Sequence, residues 1–261
     1  MSPKESHSVY LKVSYLDIGQ GDSIYIEAPN GRQMIIDGGP GQNLMNALPK
    51  VMPFGDRTVD VILVTNPDSD HYSGFIPLLE NYEVSSVVEP GTTSDTSTYK
   101  TLQEKITEEG SSHVLAEAGT KIYLDKGNNI YFEILFPDRD VSNWSSNDGS
   151  VVGRLVYDEN SFLFTGDATL LTEGLVVSDY DLSDIDILKV GHHGSKTSTG
   201  VPLLRETRPE LAIISAGKNN RYGHPNKEVL DRLALYDIPF LVTSDEGTIT
   251  LLSDGKNIVR D

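Results

Sequence analysis

The sequence predicts a layered α/β protein, with β-sheets inside and helices outside. Short apolar runs alternate with segments of helical periodicity along the whole chain, and pairs of predicted strands stand near both ends. Hydrophobic residues make up 38% of the 261 residues and charged residues 23%, which is ordinary for a globular protein. A chain of this length buries roughly 70–75% of the surface it exposes when unfolded. We therefore expect a single domain over residues 1–261.

Apolar runs of strand length, separated by turn residues, predict the strands. In chain order they are residues 9–16, 23–27, 33–36, 59–65, 84–88, 121–124, 130–136, 151–157, 161–165, 185–190, 211–215, 240–242 and 248–252. The largely apolar run 59–65 is typical of a strand buried on both faces. Residues 28–31, Ala-Pro-Asn-Gly, predict a hairpin turn between the second and third strands.

Helical periodicity marks the segments between these strands. The predicted helices are residues 74–81, 98–109, 201–207 and 227–235. Gly110 directly follows the second of them, and glycine is a common residue at helix ends. The longest irregular stretch is the loop 137–149, and loops of that length are usually functional or mobile.

Charge and cysteine content exclude several classes of protein. The chain has 21 Lys and Arg against 39 Asp and Glu, a net charge of −18, which argues against broad electrostatic capture of nucleic acid. A bound divalent cation would offset this charge locally. The absence of cysteine excludes disulfides, a thiolate zinc site and a cysteine nucleophile.

Hydropathy predicts no intrinsic membrane segment, because no run approaches the ~18 consecutive apolar residues that a membrane helix needs. The N-terminal residues 1–8, Met-Ser-Pro-Lys-Glu-Ser-His-Ser, lack the charged-then-apolar order of a signal peptide. These patterns leave a cytoplasmic and an extracytoplasmic location equally open.

Polar residues gather where four predicted strands end. The four clusters are residues 66–74, 166–168, 191–195 and 222–225, and they contain four of the six histidines. Ligand sites in α/β folds lie beyond the carboxyl ends of strands. We therefore expect these loops to share one crevice.

The first cluster offers two carboxylates and an imidazole from one tight loop, at Asp68, Asp70 and His71. Such a loop can reach two metal ions, with Asp167 as a candidate bridging carboxylate, and mixed carboxylate and imidazole ligation suits zinc or manganese. The alternative is that Asp68 and Asp70 cap the helix that follows them. The adjacent histidines 192 and 193 are infrequent, and their flanking glycines let the backbone approach a bound ion.

Two further motifs contain glycine and aspartate. Asp37 follows the third strand in Asp-Gly-Gly, where it either forms a turn or supports a metal-binding loop from behind. Residues 17–22, Asp-Ile-Gly-Gln-Gly-Asp, link two strands rather than opening a helix, so they do not indicate a nucleotide-binding glycine loop.

Together these motifs resemble the metallo-β-lactamase superfamily, and more narrowly the hydrolase domain that ends competence proteins of the ComEC type. The matching segments are residues 16–22, 36–39, 68–71, 166–167, 189–195 and 215–225, within a resemblance that covers about residues 10–255. The resemblance implies a four-layer αβ/βα sandwich, with a dinuclear metal centre at one edge of its two sheets. It also implies hydrolysis by a metal-bound hydroxide.

The resemblance carries over to individual ligands with one departure. The superfamily's metal loop reads His-x-His-x-Asp-His, and Asn66 stands in its first position, where a stronger ligand is usual. The implied metal ligands are Asn66, Asp68, Asp70, His71, Asp148, Asp167 and His193. One metal position has four candidate ligands, namely Asp70, His71, Asp167 and one of the paired histidines, of which His193 is preferred. The other relies on Asp68, Asp167 and either Asn66 or Asp148, a donor set rich in oxygen that favours manganese or magnesium over zinc. We therefore expect one or two ions, zinc or manganese, per chain.

The same resemblance implies catalytic and substrate-binding roles. Asp68 or Asp70 would accept a proton and orient the nucleophile, and His192 would face the substrate. His224 would protonate the leaving oxygen or bind a phosphate. The candidate anion contacts are Lys196, Lys218 and Arg221, together with Ser195, which is interpreted either as a phosphate contact or as a helix cap.

The function that follows is metal-dependent hydrolysis of a phosphodiester, with single-stranded DNA as substrate and a membrane competence machinery as partner. Hydrolysis of lactones, β-lactams or other esters stays open, because one fold hosts many reactions. A non-catalytic module with a degraded centre is another alternative, prompted by Asn66. A phosphoesterase of the DHH type fits less well, since its Asp-His cluster lies near the N-terminus and it carries a second domain.

Overall fold

Two β-sheets pack face to face in the computed structural model, which describes residues 9–261, and helices cover both outer faces. This arrangement confirms the predicted four-layer αβ/βα sandwich. The prediction about an N-terminal export signal concerns residues 1–8, which lie outside the described range. Within residues 9–261, no helix is both long enough and apolar enough to cross a bilayer.

The strands follow the predicted order, and their ends differ from the predicted ones by at most two residues. They are β1 (Leu11–Tyr15), β2 (Ile24–Glu27), β3 (Gln33–Ile36), β4 (Thr58–Leu63), β5 (Glu83–Glu89), β6 (Ser112–Leu115), β7 (Lys121–Asp125), β8 (Ile130–Phe136), β9 (Val152–Tyr157), β10 (Asn160–Phe164), β11 (Ile187–Lys189), β12 (Leu211–Ile214), β13 (Phe240–Val242), β14 (Ile249–Ser253) and β15 (Ile258–Arg260). Strands β6 and β15 are additions that the sequence patterns do not predict.

The helices are short, apart from the one between β5 and β6. They are α1 (Asn43–Ala47), α2 (Ser69–Tyr72), α3 (Phe75–Leu79), α4 (Ser97–Glu109), α5 (Leu170–Asp179), α6 (Val201–Thr207), α7 (Lys227–Leu235) and α8 (Thr243–Glu246). Helix α4 begins where the Thr96 hydroxyl accepts a hydrogen bond from the Tyr99 amide, and it ends at Gly110, whose φ is 72°. Helices α1, α2, α5 and α8 are absent from the predicted set.

Each sheet has an antiparallel part and a parallel part. The strand orders are β15-β14-β1-β2-β3-β4-β5-β6 in the first sheet and β13-β12-β11-β10-β9-β8-β7 in the second. Strands β3 to β6 run parallel, and so do β10 to β13. The loops that follow these parallel strands therefore leave each sheet at a common edge.

Hydrophobic side chains fill three layers, one between the sheets and one under each set of helices. Between the sheets, the Phe164 ring lies 6.2 Å from Tyr15 and 6.0 Å from Phe132, measured between ring centroids. In β3, Met34 and Ile36 pack between the sheets, whereas Ile35 packs under the helices. Because successive side chains point to opposite faces, a strand covered on both sides must be apolar throughout.

Two glycines bring the loop after β3 against the loop after β4. A Cβ on Gly74 would lie 2.0 Å from the Gly38 carbonyl oxygen, and a Cβ on Gly38 would lie 2.7 Å from the Phe75 nitrogen. The Gly74 amide donates a hydrogen bond to the Gly39 carbonyl at 2.9 Å. This close backbone approach requires glycine at both positions and places Asp37 beside His71.

We predict that Gly74→Ala lowers the free energy of unfolding by about 3 kcal/mol, because the added methyl group forces the two loops apart. Urea denaturation measures this as a lower midpoint. Gly174→Ala is the matched control, since an added Cβ there meets nothing within 4 Å. Gly174 lies in a helix, so its replacement should be neutral or slightly stabilising. Equal midpoints for Gly74→Ala and wild type would contradict the prediction.

Candidate metal centre

Loops from both sheets meet at one edge of the sandwich. Asp70 and His71 lie beyond β4, Asp167 follows β10, and His193 follows β11. His71 Nε2 is 3.1 Å from Asp167 Oδ2, and His193 Nε2 is 3.5 Å from Asp70 Oδ2 and 3.7 Å from Asp167 Oδ1. The structure therefore brings together four side chains that the sequence suggests as metal ligands.

The orientation of His71 is fixed from behind by Asp37. His71 Nδ1 lies 2.8 Å from Asp37 Oδ2. The amide and hydroxyl groups of Thr65 both donate to the same carboxylate, at 2.8 and 2.7 Å. An acceptor at Nδ1 keeps a proton on that nitrogen, so Nε2 is directed towards Asp167. Asp37 thus has the supporting position that the sequence suggests for it.

His193 is oriented in a similar way. Its Nδ1 lies 3.1 Å from the Ser215 carbonyl oxygen and 3.2 Å from Asp22 Oδ1. Both neighbours are acceptors, so Nδ1 carries a proton and Nε2 faces Asp70 and Asp167. The His193 side chain is only 2% exposed.

The backbone at the paired histidines is strained. His192 and His193 have φ values of 48° and 55°, in the left-handed region that residues other than glycine rarely adopt. The His192 amide donates to the Gly166 carbonyl at 3.0 Å, and the His192 carbonyl accepts from the Ser195 amide at 2.8 Å. These bonds hold a conformation that buries His193 and leaves the His192 side chain 24% exposed. His193 is therefore the buried member of the pair and His192 the one accessible from outside; their roles as metal ligand and substrate contact stay predictions.

Opposite charges determine the ionisation of this cluster. Burial alone would raise the pKa of Asp167, but the charges of His71 and His193 hold it well below its usual range. Burial opposes the charged form of His71, yet the carboxylates of Asp167 and Asp37 raise its pKa well above the usual value. Burial likewise opposes the charged form of His193, and the carboxylates of Asp167 and Asp22 raise its pKa to about 9. Without a cation, protons on the imidazoles balance the carboxylates.

The donor atoms at this cluster fit a divalent metal ion. Across residues 9–261, His71 Nε2, His193 Nε2 and Asp167 Oδ1 find no hydrogen-bond partner although all three atoms are buried. Buried polar atoms without partners are costly and uncommon. Ligand atoms of Asp70, His71 and His193 lie within 4.8 Å of one another. Two imidazoles and two carboxylates in such an arrangement suit zinc or manganese.

The ligands suggested for a second ion are engaged with protein groups instead. Asn66 Oδ1 accepts a hydrogen bond from the Asp68 amide at 2.9 Å, and Asp68 Oδ2 accepts one from the Ser146 hydroxyl at 2.9 Å. The Asp148 carboxylate accepts from the hydroxyls of Thr169 and Ser145, at 2.5 and 2.7 Å. Asp68 stands at the start of α2, but its side chain makes no capping hydrogen bond within the described chain.

An open cleft of about 200 Å³ adjoins the cluster. It is lined by Gln20, Asp68, Asp70, Asp167, His192, His193, Tyr222 and His224. The His224 ring lies 5.7 Å from the His192 ring and stacks on Tyr222 at 5.6 Å. Burial and the charges of His193 and His192 lower the pKa of His224 to about 4. His224 is therefore neutral near pH 7 in the metal-free protein.

The remaining predicted substrate contacts lie outside the residues that line this cleft. Lys196, Lys218 and Arg221 are exposed, and the Arg221 guanidinium lies 4.8 Å from the ring centre of Tyr222, which does line the cleft. Ser195 is buried, and its hydroxyl is 2.9 Å from that of Thr197. Asp148 is likewise absent from the described lining.

Sequence reasoning singles out the segments that contain Asp22, Lys189 and Tyr222 but assigns these three residues no role. Lys189 is fully buried and contacts Asp22. Lys189 stands between apolar residues in a predicted strand, which is a usable signal, because a buried ammonium group requires an acidic partner.

Comparison with known sequences assigns the class of protein. Residues 16–218 match the Metallo-beta-lactamase superfamily. The chain belongs to the metallo-β-lactamase superfamily.

Its relatives include proteins named for competence, as the motifs indicate. It is 35% identical over 256 residues to ComE operon protein 3 of Bacillus subtilis (strain 168), a match that covers 91% of this chain and 32% of that protein. It is 27% identical over 238 residues to Competence protein ComA of Neisseria gonorrhoeae, covering 91% and 31%. A third relative, Recombination protein 2 of Haemophilus influenzae, is 31% identical over 243 residues, covering 91% and 28%. The chain thus spans about a third of the length of these relatives.

Solved structures agree on the fold. The metallo-beta-lactamase fold protein YhfI from Bacillus subtilis superimposes with a TM-score of 0.58 at 10% identity, covering 89% of this chain and 96% of that one. The long form of RNase Z from yeast gives a TM-score of 0.51 at 11% identity, covering 95% and 42%. At these identities the likeness concerns the fold alone.

We predict that Asp167→Ala lowers the metal retained per chain at least ~10-fold, since loss of a ligand should cost no less than loss of a group that supports one. Elemental analysis after loading with Mn²⁺ or Zn²⁺ and dialysis measures the effect. Asp231→Ala is the control, because Asp231 is an exposed residue of α7 that pairs with Lys227. If Asp167→Ala retained as much metal as the control, Asp167 would not be a ligand of the metal site.

Proposed function

We propose that this chain is a metal-dependent phosphodiesterase that hydrolyses DNA, with single-stranded DNA as its substrate. The main support is the convergence of Asp70, His71, Asp167 and His193 beside an open cleft. Buried atoms of His71, Asp167 and His193 have no hydrogen-bond partner within residues 9–261. The names of relatives refer to competence and recombination, which supports DNA as the substrate class. Since the chain spans only a third of those relatives, we also propose that it acts beside a membrane competence machinery.

The proposed centre holds one divalent ion, manganese or zinc. Asp70, His71, Asp167 and His193 would be its ligands. A single ion is favoured because Asn66 stands where a stronger ligand of the second ion is usual, and its Oδ1 already accepts a hydrogen bond from the Asp68 amide. When bound, such an ion lowers the pKa of water and neutralises negative charge on phosphoryl oxygens.

Side chains of the cleft would handle the proton and the substrate. Asp68 is half-buried in the cleft wall and is held by the Ser146 hydroxyl, so its carboxylate is placed to take a proton from the attacking water. His192 is partly exposed beside Asp167 and would orient the phosphate. His224 is neutral near pH 7, which favours hydrogen bonding to a phosphoryl or leaving oxygen over donation from a charged imidazolium.

Binding of a polyanion by this acidic chain needs local positive charge. Arg221, beside the cleft residue Tyr222, and Lys218 and Lys196 on neighbouring loops would supply it. Phosphate contacts of this kind fix the position of a nucleic acid without reading its sequence. We therefore infer little sequence preference.

A non-catalytic metal-binding module is the second candidate. Asn66 favours it, because this residue replaces a stronger ligand of the second metal position and its Oδ1 already accepts a hydrogen bond from the Asp68 amide. Metal binding without turnover of any phosphodiester would support this alternative. Turnover of lactones or β-lactams in place of phosphodiesters would instead support another hydrolase of the same fold.

We predict that Asp70→Asn lowers kcat/KM by about 100-fold or more, comparable to the loss of one transition-state contact. The assays are hydrolysis of bis(p-nitrophenyl) phosphate and of a labelled single-stranded oligonucleotide, both with Mn²⁺. Asp231→Asn on the surface of α7 serves as the control. Wild-type turnover by Asp70→Asn would contradict the proposed chemistry.

Arg221→Ala should weaken oligonucleotide binding and reduce the slope of log affinity against log salt by about 0.7, the value for one phosphate contact on a single strand. Hydrolysis of the small ester should stay unchanged, because that substrate does not extend beyond the cleft. Arg205→Ala on α6 is the control; Arg205 lines a separate cavity with Asp184 and Asp186. An unchanged salt slope in Arg221→Ala would show that Arg221 does not contact a phosphate of the bound oligonucleotide.

A further inference from the structure

The loop 17–22 has no role in the proposed chemistry, yet it packs against the metal centre. The Asp22 amide donates to the Asp70 carbonyl at 3.3 Å. A Cβ on Gly21 would lie 2.3 Å from that same carbonyl oxygen, and the φ of Gly21 is 136°, so this position requires glycine. On the other side, Gln20 Oε1 accepts a hydrogen bond from the Gly217 amide at 3.1 Å. The loop therefore joins the segment after β4 to the segment after β12.

A buried ion pair lies at the end of this loop. The side chains of Asp22 and Lys189 are each 1% exposed, and Lys189 Nζ contacts Asp22 Oδ2. Lys189 Nζ also lies 3.4 Å from the Gly166 carbonyl oxygen, one residue before Asp167. A buried ion pair is weak support for stability in itself, because desolvation offsets its attraction. A role in placing a neighbouring group explains its presence better.

The neighbouring group is His193. Asp22 Oδ1 is buried, has no hydrogen-bond partner within residues 9–261, and lies 3.2 Å from His193 Nδ1 as an electrostatic neighbour. The opposite ring nitrogen faces the carboxylates of Asp70 and Asp167. Both Asp22 oxygens thus face nitrogen donors of protein side chains. This places Asp22 behind a ligand of the centre, on the side of the imidazole away from the ion.

We propose that Asp22 is a positioning residue of the metal centre, which keeps the His193 proton on Nδ1 while Lys189 compensates its charge. The inference rests on the metal site of the proposed function. A carboxylate behind a histidine ligand fixes its tautomer and raises its basicity. The rival explanation is that the Ser215 carbonyl alone holds this proton, at 3.1 Å, and that Asp22 only neutralises Lys189.

The double variant Asp22→Asn/Lys189→Met separates these explanations, because it removes both buried charges and leaves the Ser215 carbonyl in place. We expect its metal-free form to melt at a higher temperature than either single variant, which leaves one buried charge without a partner. Its Kd for Mn²⁺ should nevertheless rise about 10–100-fold, as is typical when a group behind a metal ligand is lost. The matched control is Asp231→Asn/Lys227→Met, which removes an exposed ion pair.

Mn²⁺ binding by the double variant with the wild-type Kd would overturn the proposal, because Asp22 would then serve only to balance Lys189. A measurement on the wild type covers the case in which the variants do not fold. In metal-free protein labelled with ¹⁵N-histidine, at a pH above the His193 pKa of about 9 where the imidazole is neutral, we expect the one remaining proton of His193 to lie on Nδ1. An Nδ1 without a proton would refute the inference. Absence of Mn²⁺ binding by the wild type would contradict the proposed function instead, and the NMR spectrum would still locate the proton.

Discussion

The structure depends on holding the carboxylates of Asp70 and Asp167 and the imidazoles of His71 and His193 together at one edge of the sandwich. Buried ligand atoms of His71, Asp167 and His193 have no hydrogen-bond partner within residues 9–261. Asp167 is the central residue, since its carboxylate lies 3.1 to 3.7 Å from the Nε2 atoms of His71, His192 and His193. Such a cluster is unfavourable without compensating protons or a cation. The surrounding backbone, including the strained residues at 192 and 193, has to fix its geometry.

Each inward-facing imidazole has a carboxylate behind it. Asp37 stands behind His71 within the first sheet's loops, and Thr65 saturates that carboxylate with two hydrogen bonds. Asp22 stands behind His193 and comes from the other side of the interface between the sheets. The two arrangements give both rings the same orientation, with Nδ1 towards protein and Nε2 towards the cluster.

The sequence predicts the order of strands along the chain, four of the eight α-helices of residues 9–261 and the meeting of the strand-end loops, because alternation and turn residues are local signals. It does not predict α5, in which Thr172, Glu173 and Gly174 separate two short apolar stretches, or β6, whose four residues are all exposed. The Asp68 carboxylate is held by Ser146, 78 positions away, a contact that no local pattern reveals. The part of Asn66, Asp68 and Asp148 in metal binding stays a prediction. The pairing of Asp22 with Lys189 spans 167 positions, so no local pattern in the sequence predicts it either.

The metal centre draws its candidate ligands from both sheets of the molecule. Asp70 and His71 come from the first sheet, and Asp167 and His193 come from the second. Neither half possesses a complete coordination shell, and sliding of one layer over the other would separate the ligands. An ion held by all four would clamp the halves together, because binding to the folded state alone favours that state. The resistance of the sandwich to separation of its two sheets would then increase with the concentration of that ion in the surroundings.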